Sequence, residues 1–348
     1  MPSLNRALLV PGRYLIASSV MVLSAACSGD APSIVSPSSS DPAPLDARVR
    51  QAPPIGTSAN PIAGASFWVD PFSNAKRTAT AWRTSRPADA QQMDKLASGS
   101  IAKWIGNWNS SVLADVDAAT TTMTAAGATP VFVAYNIPQR DCGGFSGSNS
   151  TTAQAYRDWI TAFANGIGGR RAAVILEPDA LAAMDCLSPA DQQTRLDLLR
   201  FAVQTFAAKG SISVYLDAGH PRWKSASTIA ARLISAGVAM AQGFSLNVSN
   251  FYLASENTTY GTQVSALVGG KHFVIDSGRN GLGPTADAQW CNPEGRALGS
   301  RPTTATGNAL VDAYLWIKTP GESDGSCNGA PNAGTWMPEY ALELARRG

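Results

Sequence analysis

Short apolar runs that end in polar residues alternate with helix-like segments along most of this chain of 348 residues. In the clearest run, the apolar residues Ala173–Leu176 lead directly into Glu177, Pro178 and Asp179. A run of this kind predicts a strand that is buried on both faces. Because Pro178 lacks an amide hydrogen, we expect the strand to end there and to hold Asp179 just beyond it. A carboxyl group sheltered in this way can have a raised pKa and act as a proton donor, whereas the simpler alternative is an acidic turn.

The same construction recurs along the chain and favours a parallel sheet. Candidate strands span residues 65–71, 101–106, 130–138, 173–180, 212–220, 243–250, 272–278 and 312–318. Helix-like segments lie near residues 112–123, 152–167, 188 onward, 228–235 and 337–347. Strands that alternate with helices form parallel sheets, and an α/β barrel carries its active site at the carboxyl ends of its strands. The polar residues at the ends of these runs are Asp141, Asp179, Asp217, Asn247, Asp276 and Lys318.

The first 26 residues have the pattern of a secretory signal. Arg6 and Arg13 precede a short apolar stretch that ends in small residues and is too short for a permanent membrane span. Cys27 follows directly and resembles the lipidated cysteine of a bacterial lipobox, although Ser24 stands where Leu is usual. We therefore predict lipidation at Cys27, with ordinary secretion as the alternative. Residues 27–59 form a Ser/Pro-rich linker, and residues 60–348 form the folded domain.

The cysteine count agrees with export. Of the five cysteines in the chain, four remain once Cys27 is set aside, and an even set in an exported protein predicts two disulfides. Four cysteines allow three pairings. No CxxC pair occurs and the chain has two histidines, so we expect no zinc site and no other metal site.

Composition and motifs exclude several classes of function. The net charge is +2 and no basic cluster appears, which argues against a nucleic-acid partner. The sequence has no P-loop, no dinucleotide fingerprint and no nucleophile elbow, and we expect no cofactor. What remains is a set of carboxylates together with nine tryptophans. Some of these tryptophans stand close to polar strand ends, including Trp68, Trp223, Trp290 and Trp316.

Aromatic faces suit the apolar faces of sugar rings, and carboxylates suit their hydroxyl groups, although half or more of the tryptophans are expected in the core. In an exported protein this combination predicts glycoside hydrolysis, which needs one protonated carboxyl group and a second group that acts on water or carbon.

Five blocks of sequence, in order, resemble those of glycoside hydrolase family 6, the cellulases. The similarity covers roughly residues 60–348. The blocks are Tyr135-x-x-Pro138-x-Arg140–Asp141–Cys142, Val174–Asp179, Leu216–His220 with Trp223, Trp290–Cys291–Asn292, and Lys318-x-Pro320–Gly321–Glu322-x-Asp324–Gly325. The resemblance implies a distorted parallel (β/α) barrel of about seven strands that binds β-1,4-glucan across the strand carboxyl ends and inverts the anomeric centre without a metal.

The resemblance also implies roles for individual residues. Asp179 matches the general acid, Asp141 matches a partner whose charge keeps Asp179 protonated, and Asp324 matches a candidate base that can act through a chain of waters. Asp217 matches a further site carboxylate with a supporting role, and Tyr135 matches a tyrosine near the reacting ring. The predicted substrate-binding residues are Trp68, His220, Trp223, Asn250, Trp290, Lys318 and Glu322.

Two further expectations follow from the resemblance. The family commonly places a water-holding serine where this chain has Gly147, so Ser146 or Ser148 is expected to take that role. The family's disulfide pattern implies the pairs Cys142–Cys186 and Cys291–Cys327, each beside the active site.

The segment from Cys291 to Cys327 is short, which predicts an open cleft and cleavage at internal bonds rather than the tunnel of a cellobiohydrolase. Alternatives from other classes are a cell-surface glucan-binding lipoprotein without catalysis and a solute-binding protein, although the chain lacks the two similar lobes of the latter. A further alternative keeps the chemistry but acts on a mixed-linkage β-glucan. We expect a monomer that contacts a membrane only through a lipid anchor.

Overall fold

The computed structural model describes residues 59–147 and 151–348. The predicted signal segment, Cys27, most of the linker and Ser148 lie outside the described residues. The described residues belong to the compact unit that spans Ala52–Gly348. In this part of the chain, no helix combines the length and the apolar character needed to cross a membrane.

Seven parallel strands form one sheet, and their spatial order follows their order in the chain. The strands are β1 (Lys103–Gly106), β2 (Val131–Tyr135), β3 (Ala172–Leu176), β4 (Ile212–Asp217), β5 (Gly243–Leu246), β6 (His272–Asp276) and β7 (Val311–Leu315). The sheet curls until Ile101, before β1, forms a parallel bridge with Trp316, after β7. The amide of Ala102 donates to the carbonyl of Trp316 at 3.0 Å. This confirms the α/β barrel of about seven strands, in which β1 and β7 meet through a bridge instead of a long ladder.

Helices connect and cover the strands. They are α1 (Asn74–Trp82), α2 (Pro87–Ala97), α3 (Val112–Ala125), α4 (Ala153–Ile167), α5 (Pro189–Ala207), α6 (Ala226–Ser235), α7 (Ala254–Leu267) and α8 (Pro338–Arg347). The helix predicted after Ser188 begins there because the Ser188 hydroxyl caps it, accepting from the Asp191 amide, and because Pro189 occupies its first position. The helices predicted near residues 112–123, 152–167, 228–235 and 337–347 are also present.

Alternate residues of each strand enter two different cores. One set, including Val133, Ile175 and Tyr215, fills the barrel interior. The other set, including Phe132 and Val174, packs against the surrounding helices. Strands β2 to β6 are therefore buried on both faces, as continuous apolar runs predict for a parallel sheet.

The prediction of a strand at residues 65–71 is wrong. Only Phe67 forms a bridge there, with Thr129, and the Thr129 amide donates to the Ser66 carbonyl. The chain then turns at Asp70, whose carboxylate accepts the amide of Phe72, and α1 follows. Thr129 comes just before β2, so this segment lies at the amino end of the sheet, away from the strand carboxyl ends.

Candidate active site

A cavity of about 750 Å³ lies at the carboxyl ends of the strands. Eleven of the predicted site residues line it, namely Tyr135, Asp141, Ser146, Asp179, His220, Trp223, Asn250, Trp290, Lys318, Glu322 and Asp324. They lie at or after the carboxyl ends of six of the seven strands, β2 to β7. The parallel arrangement of the sheet therefore brings them together. The position of the cavity is the one that a parallel α/β barrel predicts for its active site.

The backbone around the cavity adopts the left-handed region at several non-glycine residues. Glu177 has φ 50° and Asp179 has φ 69°, while Gln139, Asp141 and Cys142 have φ of 53°, 54° and 49°. Residues other than Gly, Asn and Asp, such as Glu177, Gln139 and Cys142, rarely adopt this region, because the Cβ approaches the carbonyl oxygen. Such residues cluster at functional sites, where the surrounding structure holds them in place.

Asp179 has the electrostatic environment of a proton donor. Part of its side chain faces the cavity, but the surrounding protein removes most of its contact with bulk water. Burial raises the pKa of Asp179 well above its ordinary value, and the negative charges of Asp217 and Asp141 raise it further. Asp179 is therefore protonated over a pH range in which an exposed Asp is ionised.

Asp217 lies beneath the cavity floor and is buried. Its Oδ1 accepts the backbone amides of Asp179 at 2.9 Å and Gly219 at 3.0 Å, and its Oδ2 accepts the Ser245 hydroxyl at 3.1 Å. Burial raises the pKa of Asp217 to about 6, while the hydrogen bonds from Asp179, Gly219 and Ser245 oppose that rise. Asp217 does not line the cavity; it holds the backbone of Asp179 in place and adds negative charge below it.

Asp141 lies on the loop that follows β2. Its Oδ2 accepts the amide of Ser146 at 3.1 Å, which closes the loop on itself. Arg140 reinforces this closure, because its guanidinium donates to the carbonyls of Ser146 at 2.8 Å and Tyr135 at 2.7 Å. The same guanidinium lies over the ring of Tyr135, 4.2 Å from its centroid. The loop thus presents Asp141, Ser146 and Gly147 to the cavity as one unit.

Asp324 pairs with a buried arginine. Its Oδ2 accepts from Arg279 at 2.8 Å and from the amide of Asn292 at 3.0 Å. The Asn292 side chain returns the contact, because its Oδ1 accepts the amide of Asp324 at 2.7 Å. The side chains of Arg279 and Asp324 are almost fully buried, an arrangement that is stable only when both charges are paired.

Lys318 and Glu322 form a second charged pair beside Asp324, with 3.9 Å between Nζ and Oε2. Burial lowers the pKa of Lys318 and raises that of Glu322. The charge of each group opposes the pKa shift of the other. The Lys318 ammonium also donates to the carbonyl of Ser323 at 3.1 Å. These two groups offer one donor and one acceptor to a polar ligand in the cavity.

His220 is a neutral ring stacked among aromatic neighbours. It stacks on Tyr252 with 4.4 Å between centroids and lies 5.4 Å from Trp223. Burial, with a smaller contribution from the Arg222 charge, lowers the pKa of His220 to about 4. Above that pH the imidazole is uncharged and can donate or accept a hydrogen bond at a neutral hydroxyl group.

Three aromatic rings at the rim are more than half exposed: Trp108 at 55%, Phe145 at 52% and Trp290 at 52%. Phe145 and Trp290 face each other with 6.2 Å between centroids. Phe145 also packs on Gly325, where any Cβ would overlap its ring. Exposed rings that line a cavity indicate a ligand with flat apolar faces.

Two disulfides tie the loops around the cavity, Cys142–Cys186 and Cys291–Cys327. The first joins the residue after Asp141 to the segment that follows Asp179. The second joins the residue after Trp290 to the segment that follows Asp324. These are the pairs that the family resemblance implies.

Trp68 is the predicted binding residue that the structure separates from the others. It is half-buried, does not line the cavity and belongs to the segment bridged to Thr129 at the amino end of the sheet. The structure therefore contradicts the prediction of Trp68 as a substrate-binding residue of this cavity. Trp104 lines the cavity from β1, where it meets Tyr135 edge to face at 5.2 Å and donates from Nε1 to the Ile317 carbonyl.

Several lining residues were absent from the predicted set: Trp104, Trp108, Arg140, Phe145, Arg222, Ser249 and Tyr252. Arg140 lies within a family block, and Trp104 lies on a predicted strand, so both had a signal in the sequence. Within residues 59–147 and 151–348, no group of His, Cys, Asp and Glu could hold a metal ion.

A parallel barrel whose carboxyl-end cleft combines a carboxyl group of raised pKa, further carboxylates and exposed aromatic rings has the architecture of a glycoside hydrolase. Comparison with known proteins identifies the family. The sequence profile of "Glycosyl hydrolases family 6" matches residues 62–348, and the chain belongs to this family.

The relatives agree with this assignment. The chain is 44% identical over 283 residues to "Endoglucanase A" of Cellulomonas fimi, covering 80% of this chain and 61% of that protein. It is 40% identical over 290 residues to "Endoglucanase 1" of Streptomyces halstedii, covering 80% of this chain and 88% of that one. The chain thus spans less than two thirds of the Cellulomonas protein.

Solved structures show the same fold. The endoglucanase Cel6 from Mycobacterium tuberculosis, in complex with methyl-cellobiosyl-4-deoxy-4-thio-beta-D-cellobioside, is 49% identical, with a TM-score of 0.79 over 83% of this chain and 99% of that chain. Endoglucanase CEL6B from Humicola insolens is 26% identical, with a TM-score of 0.73 over 82% of this chain and 98% of that chain.

Proposed function

We propose that this protein hydrolyses internal bonds of β-1,4-glucans such as cellulose, with inversion of the anomeric configuration. The observation that carries the proposal is Asp179, a carboxyl group of raised pKa that faces an open cavity and has Asp141 and Asp217 beside it. The names of the relatives as endoglucanases and the cello-oligosaccharide analogue bound to the Mycobacterium enzyme support the same substrate class.

In the proposed reaction, Asp179 gives its proton to the glycosidic oxygen while water attacks the anomeric carbon from the opposite face. The proton that water loses passes towards Asp324, directly or through further waters, with Asp141 as a relay. Asp324 is the proposed base because it lines the cavity and its Oδ2 pairs with Arg279 and the Asn292 amide. Ser146 is the proposed holder of the water, since it shares the cavity wall with Asp141. An inverting site leaves space for a water between acid and base.

The substrate is held by rings and by neutral or paired polar groups. Trp290, Trp223, Trp104 and Trp108 are proposed platforms for successive sugar rings, with Tyr135 next to the reacting ring. The further contacts to hydroxyl groups are assigned to His220, Asn250, Lys318 and Glu322. Because a glucan carries no charge, such a site binds through apolar faces and hydrogen bonds rather than through net charge.

Cleavage at internal bonds is favoured over processive cleavage from an end. In a tunnel the aromatic platforms would be covered by loops, whereas Trp108, Phe145 and Trp290 are each more than half exposed. An open cleft can bind anywhere along a polymer. The alternative of a cellobiohydrolase keeps the same acid and base, and the alternative of a glucan-binding protein without catalysis gives no reason for a protonated Asp179.

We further propose that the protein is exported and acts as a monomer, with residues 60–348 as the catalytic domain. Two disulfides beside the cavity are in keeping with an oxidising compartment. Residues 1–26 are proposed as the signal, residues 27–59 as the linker, and Cys27 as a site of lipidation.

The test follows a soluble cellulose derivative by viscosity and by reducing ends, and cellohexaose by its first products. Internal cleavage lowers viscosity early, while few reducing ends have formed, and gives several oligosaccharides from cellohexaose. Cellobiose as the first product, with little loss of viscosity, supports the cellobiohydrolase alternative instead. Binding of cellohexaose without any product by the wild-type protein overturns the proposed catalysis.

A further inference from the structure

Glu177 is a buried carboxylate that does not line the cavity, although it stands two residues before Asp179. Both of its oxygens accept the amide of Asn136 at 3.0 Å, and Oε2 also accepts the amide of Ile137 at 3.1 Å. Its left-handed backbone, with φ 50°, sets the side chain apart from the ordinary alternation of β3. Glu177 thus connects the end of β3 to the start of the loop that follows β2.

Arg195 of α5 continues this connection on the other side. Its Nη2 donates to the carbonyls of Pro138 at 2.9 Å and Gln139 at 2.7 Å. Its Nη1 donates to the carbonyl of Ala180 at 3.3 Å. Arg195 is buried as well, and the Glu177 charge opposes the lowering of the pKa of Arg195 by burial.

The two side chains together bind every residue of the segment 136–139. Glu177 accepts the amides of Asn136 and Ile137, and Arg195 donates to the carbonyls of Pro138 and Gln139. Glu177 belongs to the segment that carries Asp179, and Arg195 contacts that segment at Ala180. Arg140 follows this segment, and then come Asp141 and Cys142, which have left-handed backbones, as does Gln139 itself. A run of unfavourable backbone conformations persists only where the surrounding contacts fix it.

We propose that Glu177 and Arg195 form a buried clamp that fixes the position of Asp141 relative to Asp179, which makes both of them positioning residues for the reaction. The proposal rests on the proposed function, because it assumes that Asp179 protonates a leaving group and that Asp141 assists. The clamp acts through Asn136–Gln139 on one side and through Ala180 on the other, and neither Glu177 nor Arg195 touches the substrate.

Glu177→Gln tests the clamp with nearly unchanged volume. A Gln side chain offers one oxygen and one NH₂ group where the carboxylate offers two oxygens, so the NH₂ group opposes a backbone amide. The test compares kcat on cellohexaose, whose leaving group needs a proton, with kcat on dinitrophenyl β-cellobioside, whose leaving group does not. We expect kcat on cellohexaose to fall about 10- to 100-fold and kcat on the activated substrate to fall clearly less, with KM little changed on both, because the activated leaving group bypasses proton donation by Asp179 but not the relay through Asp141.

Asp312→Asn is the matched control. Asp312 is a buried carboxylate at the opposite end of the same barrel, where it accepts from Tyr215 at 2.8 Å and pairs with His272 at 2.7 Å. Like Glu177→Gln, this variant replaces a buried acid by its amide, and so it is expected to lower stability through the loss of buried hydrogen bonds. We expect the ratio of the two rates to stay at the wild-type value in Asp312→Asn.

Arg195→Lys provides a second variant, which keeps the charge but loses the fork that binds three carbonyls. We expect the same change in the ratio of rates, and this variant decides the question if Glu177→Gln does not fold. A folded Glu177→Gln or Arg195→Lys protein whose ratio equals that of the wild type overturns the clamp. A wild-type protein that cleaves neither substrate overturns the proposed function instead, so the two failures are distinguishable.

Discussion

At the scale of single residues, the proposed chemistry depends on how Asp179 keeps its proton. An ordinary Asp loses its proton near pH 4, so a proton donor that works closer to neutrality needs help from its surroundings. That help comes first from burial and then from the negative charges of Asp217 and Asp141. Asp217 also binds the Asp179 amide, so the residue that raises the pKa of the acid also fixes its backbone.

Asp217→Asn is expected to shift the pH dependence of the reaction. The substitution removes the larger of the two neighbouring charges that raise the pKa of Asp179, and it keeps an oxygen that can accept the Asp179 amide. The pKa of Asp179 falls, so the acid loses its proton at a lower pH. The alkaline limb of the kcat/KM profile on cellohexaose therefore moves to lower pH.

Asp141→Asn provides a graded comparison for this shift. The charge of Asp141 raises the pKa of Asp179 less than that of Asp217 does. We therefore expect the alkaline limb of the Asp141→Asn profile to move to lower pH by less than that of Asp217→Asn. The position of the limb is compared, and not the height of the profile, because Asp141 also belongs to the proposed proton relay. An alkaline limb that stays in place in Asp217→Asn, or moves to higher pH, contradicts this account of the acid.

The sequence predicted which polar residues follow the strands but not where their side chains point. Asp141, Asp179 and Lys318 line the cavity. The other three polar strand ends, Asp217, Asn247 and Asp276, are buried and bind backbone groups. The direction of each side chain depends on local backbone angles, such as the left-handed φ of Asp141 and Asp179, and on tertiary contacts, which the apolar pattern of a strand does not reveal.

At the scale of elements, the loops after the strands carry the site, and the disulfides tie these loops in pairs. Cys142–Cys186 connects the loop after β2 with the segment after β3, and Cys291–Cys327 connects the segments after β6 and β7. The clamp of Glu177 and Arg195 joins the first pair of loops from below. The acid and its partners thus lie on irregular segments that are fixed by cross-links and buried charges.

Replacing both cysteines of either bridge with Ser is expected to cost about 4 kcal/mol of stability, because the unfolded chain regains the entropy of its closed loop. The two costs are expected to be similar, since the sequence separations are 44 and 36 residues. Urea unfolding of each double variant gives the free energy of unfolding. We also expect Cys142→Ser/Cys186→Ser to lower kcat, since Cys142 follows Asp141; unchanged stability and kcat in that variant would contradict the role given to the bridge.

The strands were the most predictable elements, because their apolar runs are continuous and their ends are marked by polar residues. The run at residues 65–71 has the same composition but lacks a neighbouring strand over its length, so it forms only the bridge at Phe67. Helix α7 was not predicted: its sequence includes Asn257, Thr258, Thr259 and Gly261, which have low helix propensity. Packing of Tyr260 and Val264 against the barrel overrides that propensity.

At the scale of the whole molecule, the curled sheet explains why residues from distant parts of the chain meet in one cavity. The carboxyl ends of seven parallel strands lie on one side, and the bridge from Ile101 to Trp316 brings the loop after β1 next to the segment after β7. The alternation of strands and helices predicted this arrangement. It did not predict that the rim rings Trp108 and Phe145 would line the cavity, because both lie on loops whose path depends on tertiary contacts such as that of Phe145 with Gly325.

The most direct test of the account is proton NMR of cellohexaose digestion, recorded before the released anomers equilibrate. The account predicts that the newly formed reducing ends appear first as the α-anomer, because water attacks from the face opposite to the leaving group that Asp179 protonates. Early appearance of the β-anomer at these ends would mean a retaining mechanism with a carboxylate nucleophile, and it would contradict the roles given to Asp179, Asp141 and Asp324.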